Sequence, residues 1–121
     1  MNRSDTGKLG ELETARHLRK NGYNIVAANF HSRFGEIDIV AENKRNLCFV
    51  EVKTRSPGQM FNPADSVTVV KRKKIISTAN VFLSQYPTNK EIRFDIAEVI
   101  VEDSVIKSIN LIENAFDASA Y

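Results

Sequence analysis

The stretch that most constrains this chain is Phe34 to Arg55, FGEIDIVAENKRNLCFVEVKTR. Two apolar runs flank the polar turn Glu42 to Asn46, the pattern of two strands joined as a hairpin. Residues two apart in a strand share a face, so Glu36 points with Asp38 and Glu51 with Lys53. The surroundings are apolar on both faces: Ile37 and Ile39 alternate with Val40, and Val50 and Val52 alternate with Leu47 and Phe49. Strands of this kind lie inside a sheet covered on both sides. Three carboxylates and an ammonium there need partners or a metal, because an unpaired buried charge is rarely tolerated.

The rest of the chain supplies that cover. With 121 residues, 42% of them hydrophobic and 26% charged, residues 1–121 read as a single globular domain with one core. The lone cysteine, Cys48, excludes an internal disulfide and reads as a buried structural thiol. A formal net charge of +2 permits nucleic-acid binding without arguing for it. The N-terminal MNRSDTGKLGE has no apolar core for export, and no run approaches the roughly 20 apolar residues that span a bilayer. The expectation is a soluble cytoplasmic protein without a membrane partner.

In chain order, Ser4 and Asp5 are expected to cap a helix running to about Asn21, with Gly22 ending it. Glu11, Ala15 and Leu18 form its core-facing stripe with Leu12 at the edge, which puts a carboxylate on an otherwise apolar face. Tyr23 to Phe30 reads as the first strand, and His31, Ser32 and Arg33 as the turn into the hairpin. His31 and the outward His17 read as solvated residues, since zinc sites need several ligands at recognisable spacing. The Pro- and Gly-containing Ser56 to Asp65 reads as a long polar loop. A second helix spans about Thr68 to Tyr86, stopped by Pro87, with Ile75, Ile76, Ala79, Phe82, Leu83 and Tyr86 as its apolar stripe. In its basic run, Lys73 and Lys74 face out, whereas Arg72 lies on the stripe and Lys71 at its border. Arg93 to Val101 and Val105 to Ile112 read as two more strands, and Phe116 as an anchor in the tail. This order suggests a mixed sheet with helices on its faces, and the return through the second helix allows a parallel crossover, which would be right-handed.

Carboxylates from adjacent strands form an oxygen-only site suited to Mg²⁺ or Mn²⁺, and the absence of a Cys/His cluster argues against zinc. A phosphodiester is the natural substrate of such a site: the metal polarises a phosphoryl oxygen, and Lys53 orients water or stabilises developing negative charge. The plain alternative is a set of ordinary ion pairs between Glu51, Lys53, Glu36 and Asp38 on an exposed sheet face.

Asp38 followed after a hairpin by Glu51-Val52-Lys53 resembles the PD-(D/E)XK nuclease signature. The series GKLGE, NGY, GEIDIVA, FVEVKTR, Lys71, RFDIAEV and NAF, in that order, is similar to the YraN-like uncharacterised bacterial proteins, relatives of archaeal Holliday junction resolvases. The resemblance implies a single-domain α/β restriction-endonuclease-like fold with a central mixed β-sheet flanked by helices. It also implies a divalent-metal site made by Asp38 and Glu51, Lys53 as the catalytic lysine, and Glu11 as the helical acid beside the metal. Glu36-Ile37-Asp38 replaces the Pro-Asp step, and Thr14 stands where a small alanine is expected. The leading expectation is a Mg²⁺- or Mn²⁺-dependent endonuclease acting on DNA, with branched or junction DNA as a candidate substrate. Lys71, Arg72 and Arg55 are its expected phosphate contacts, and a branched substrate implies a homodimer presenting two sites. The alternatives are a non-catalytic nucleic-acid-binding module on the same fold, and a partner-binding protein whose acids are only ion-paired.

Overall fold

The computed structural model describes residues 3–58 and 67–120. The elements, in order, are α1 (Arg3–Lys20), β1 (Asn24–Ser32), β2 (Gly35–Glu42), β3 (Asn46–Arg55), α2 (Val69–Gln85), β4 (Glu91–Glu102), β5 (Val105–Phe116) and a 3-10 turn (Ala118–Ala120). The sheet runs β1-β2-β3-β4-β5, and every neighbouring pair is antiparallel except β3 and β4. Those two are parallel and joined through α2, the crossover that the order of patterns allows. The architecture is thus a five-stranded mixed sheet flanked by two helices, in the manner of a restriction-endonuclease-like fold.

The helix-ending signals act where they were read. α1 ends on Gly22 in the left-handed region (φ 87°), with the N–H of Tyr23 donating to Leu18 O at 3.0 Å and that of Gly22 to Arg19 O at 3.2 Å. Leu18 and Tyr23 then pack in one cluster, closing the motif with an apolar contact. Thr68 caps α2, its side chain accepting from the Lys71 N–H at 3.2 Å, and the helix stops just before Pro87. Ser4 and Asp5 fall inside the first turn of α1 rather than before it. Of the expected Ser56–Asp65 loop, residues 59–65 lie outside the described residues.

The helices cover opposite faces. α2 packs Ile75, Ala79 and Phe82 on Ile37, Val40, Phe49, Phe94 and Ile96, whereas α1 packs Leu18 on Ile39, Ala41, Cys48, Val50 and Ala97. Phe116 is the anchor expected in the tail, stacked on Phe94 at 5.2 Å. Two details differ from the helical and strand patterns. The most buried line of α1 is Gly10, Thr14 and Leu18, so Leu12 turns out to solvent at 51% exposure while Glu11 and Ala15 become shoulders. Gly10 leads that line because a Cβ there would collide with Thr54 Oγ1 on β3. On β2, Ile37 joins the α2 side and Ile39 the α1 side, so strict alternation breaks at Asp38. Among the described residues no helix is long and apolar enough to cross a membrane.

Candidate active site

The break at Asp38 builds the site. Pairing of β2 with β3 runs from Glu42↔Leu47 to Ile39↔Val50 and goes no further. The next free amide on β3, Val52 N–H, donates instead to Asp38 Oδ2 at 2.7 Å. A side chain thus takes over where the ladder stops, and its carboxylate is held at the fork between two diverging strands. On the neighbouring β1, the residue opposite this fork is Asn29, held in the left-handed region with φ 51°. Asparagine tolerates that region better than most residues, and here its side chain hydrogen-bonds Glu11 of α1.

Glu11, Asp38, Glu51, Lys53, Arg55 and Lys71 all line one cleft of about 740 Å³. It lies at the C-terminal ends of the parallel strands β3 and β4, where open α/β sheets bind ligands. The structure therefore brings together the acids and lysine expected from the sequence. Glu51 is only 6% exposed, so an exposed sheet face carrying ordinary ion pairs is not how these groups are arranged. Both its ion pairs are made through Oε1, to Lys71 Nζ at 2.6 Å and to Lys53 Nζ at 3.8 Å. Glu36 sits apart from the two lysines, with His31 Nδ1 at 3.7 Å as its neighbour.

Burial sets the electrostatics. Desolvation, only partly offset by the Val52 N–H, pushes the Asp38 carboxyl up to about 6, with Glu11 and Glu36 adding repulsion. Glu11 is raised by burial too, while its hydrogen bonds to Asp38 and Asn29 work the other way. Glu51 is raised by burial and by Asp38 against the pull of both lysines. Lys53 is lowered, by burial and then by its contact with Lys71. Burial also works against charge on Lys71, yet its hydrogen bonds to Glu51 and Lys53 hold it above its ordinary value. The result is a set of acids short of positive charge, beside a lysine disposed to give up its proton.

The three expected phosphate contacts separate. Lys71 sits inside the acid cluster rather than outside it. Arg72 donates from Nε to Val67 O at 2.7 Å and lies over the Phe116 ring at 5.5 Å, which ties the start of α2 to the tail. Arg55 lines the cleft, with Nε 3.9 Å from Glu98 Oε2. Sequence reasoning missed Lys71 as the direct partner of Glu51, and it missed Asn29, whose only sequence signal is an asparagine in an apolar strand.

A metal is tested by the donors present. Among the described residues no three Asp, Glu, His or Cys side chains form a ready-made metal cage. The donors are nonetheless oxygen-only carboxylates raised by burial and mutual repulsion, the chemistry that suits a hard divalent cation. Asp38 and Glu51, with Glu11 beside them, fit such an ion, which would share Glu51 with the Lys71 ammonium.

A family model described as uncharacterised protein family UPF0102 matches residues 10–99, a span that contains all the acids and lysines above. The chain is similar to a UPF0102 protein of Syntrophomonas wolfei, 44% identical over 96% of this chain and 100% of the relative. It is also similar to UPF0102 proteins of Chlorobium phaeobacteroides, 42% identical over 82% of this chain and 79% of the relative, and of Lachnoclostridium phytofermentans, 39% identical over 98% of each.

Proposed function

Since the chain belongs to the uncharacterised protein family UPF0102, whose description states no reaction, we propose a function from its site: metal-dependent hydrolysis of phosphodiester bonds in DNA. The observation that carries this reading is the pair of half-buried Asp38 and buried Glu51 with Lys53 beside it, opening into a cleft at the ends of the parallel strands. Asp38 and Glu51 would hold Mg²⁺ or Mn²⁺, with Glu11 as the third acid. Such a cation, when bound, polarises a phosphoryl oxygen and lowers the pKa of its water.

The chain's own groups supply the rest. Lys53, with its lowered pKa, accepts a hydrogen bond from the attacking water in its neutral form, or donates to the phosphoryl oxygens as charge develops there. Lys71 holds Glu51 in place and brings a second ammonium within reach of the phosphate. Arg55, on the cleft wall, serves the same charge. Branched DNA is the substrate to try first, and paired cuts on it would require a symmetric dimer.

The test is calorimetric titration with Mg²⁺ or Mn²⁺ of wild type and Asp38→Ala, followed by cleavage of branched DNA in the same samples. Wild type is expected to bind metal and cut, and Asp38→Ala to do neither. Lys53→Ala is expected to lose cleavage while keeping fold and most DNA affinity; cleavage equal to wild type would sink the assignment. A second reading rests on the Lys71–Glu51 ion pair, which gives the acids a cation without any metal. It makes the protein a nucleic-acid-binding module, with salt-sensitive DNA binding and no cutting at any metal concentration.

A further inference from the structure

The acids are reached from two sides. Besides the cleft already described, a second one of about 430 Å³ opens between the β1–β2 turn and the first turns of α2. Asp38, Glu51 and Lys71 line both, and so form the wall between the two mouths. The mouths differ in chemistry. The first carries Lys53, Thr54, Arg55 and Ser56 beside the acids Glu11 and Asp103; its hydrogen-bonding and cationic groups suit a phosphate backbone once a divalent cation offsets the acids. The second carries Val70 and Ile75 with Lys74 and the carboxylate Glu36, Val70 being 65% exposed.

Gly35, on the wall of that second mouth, directly follows Arg33 and Phe34. Phe34 keeps 39% of its surface exposed, and the Arg33 guanidinium lies over its ring at 4.7 Å. This tip is held firmly. Ser32 Oγ and Thr78 Oγ1 of α2 are hydrogen-bonded at 2.8 Å, and the Phe34 N–H donates to the same Ser32 Oγ at 3.0 Å. Gly35 passes so close that a Cβ there would touch Lys74 Cβ, so the turn is docked on α2. An exposed aromatic ring and a planar cation on a rigid support, next to a lysine and an acid site, make a platform for a nucleobase rather than for a base pair.

We propose that Phe34 and Arg33 stack an unpaired nucleobase at the second mouth, so that a single strand passes across the acid wall with its phosphates directed toward Lys53 and Arg55. This rests on the nuclease reading for the direction of the strand, and it names the substrate class of that site: DNA with unpaired bases beside the reacting phosphate.

The experiment uses a short single-stranded DNA carrying 2-aminopurine, and the same sequence fully paired, with Ca²⁺ in place of Mg²⁺ so that binding is read apart from turnover. Wild type is expected to quench the 2-aminopurine of the single strand and to prefer it to the duplex. Phe34→Ala is expected to lose the quench and to weaken single-strand binding about tenfold, with duplex binding unchanged. Phe34→Leu keeps the apolar bulk without the aromatic face, and is expected to behave as Phe34→Ala; thermal melting of each variant reports its fold. Equal single-strand affinity of wild type and both variants, an unquenched probe, duplex binding as tight as single-strand binding, or no binding of either DNA overturns the proposal. A quenched probe together with no cleavage of branched DNA in Mg²⁺ leaves the platform standing and removes the nuclease reading, whereas cleavage of branched DNA without quenching does the reverse.

Discussion

Thr14 is fully buried in the middle of the contact line of α1, and its Oγ1 has no hydrogen-bond partner among the described residues. A buried hydroxyl without a partner forfeits its hydration for nothing, at a cost of about 1–3 kcal/mol. Thr14→Val keeps the shape and removes the hydroxyl. It is expected to raise stability by about 1 kcal/mol, read as a rise in Tm of about 3–5 °C. Asp38 pulls stability the other way with pH. Its carboxyl rises from an ordinary 3.8 to about 6 on folding, so the folded state holds its proton more tightly than the unfolded chain does. The stability from this group is therefore present below about pH 4 and lost as pH rises to about 6. Asp38→Asn, which can still accept from the Val52 N–H, should be more stable than metal-free wild type at pH 7 by about 3 kcal/mol, with little difference at pH 4. Urea titrations at both pH values check this, and equal stabilities at pH 7 would count against it. Cys48 plays no such part, since burial pushes its thiol up to about 12 and leaves it protonated and inert.

At the level of elements, the same device occurs twice: a carboxylate replaces ladder bonds where a strand departs from its neighbour. Asp38 does so for β3, and Asp95 does so for β5. Asp95 on β4 is 1% exposed and accepts from the Asn114 N–H at 2.9 Å, at a register shift where Asn114 has φ 53°. Arg93 grips the same carboxylate, Nε to Oδ1 at 2.9 Å and Nη2 to Oδ2 at 3.0 Å, and also donates to Tyr23 Oη at 2.6 Å. Burial raises the Asp95 carboxyl even against that pairing, the mark of a charge held for geometry. Removing one partner strands the other, so Asp95→Ala is expected to cost about 3–5 kcal/mol and to speed hydrogen exchange at the Asn114 amide. A loss below about 1 kcal/mol would mean that β5 keeps its bulge without the anchor. The alternation of apolar residues made both strands legible in RFDIAEV and GEIDIVA. It did not reveal the fork at Asp38 or the bulge beside Asp95, because each is a mismatch between two strands and neither sequence carries it alone.

For the whole molecule, the sign of charge changes between surface and site. The chain is +2 overall, yet Glu11, Asp38, Glu51 and Asp103 outnumber Lys53, Arg55 and Lys71 on the main cleft. A polyanion meets net repulsion there until a cation is added. DNA binding is therefore expected to fall at least about tenfold in EDTA, to return with Ca²⁺, and to weaken with salt. Fluorescence anisotropy on labelled DNA reads this, and affinity unchanged by EDTA would put the DNA path elsewhere on the surface. What the sequence determined by itself was local: strand and helix periods, the Gly22 cap, the Pro87 stop, and the charged positions that do not belong on apolar faces. Those follow from spacings of two to four residues, which a chain carries without reference to the rest of the fold. Tertiary structure decided that Glu51 meets Lys71, that Arg72 turns to Phe116, and that Gly10, Thr14 and Leu18 rather than Glu11 face β3. Each depends on how the helix faces rotate against a twisted and forked sheet. That rotation is set by the close fit of side chains from distant segments, a property of the packed core and not of any one stretch.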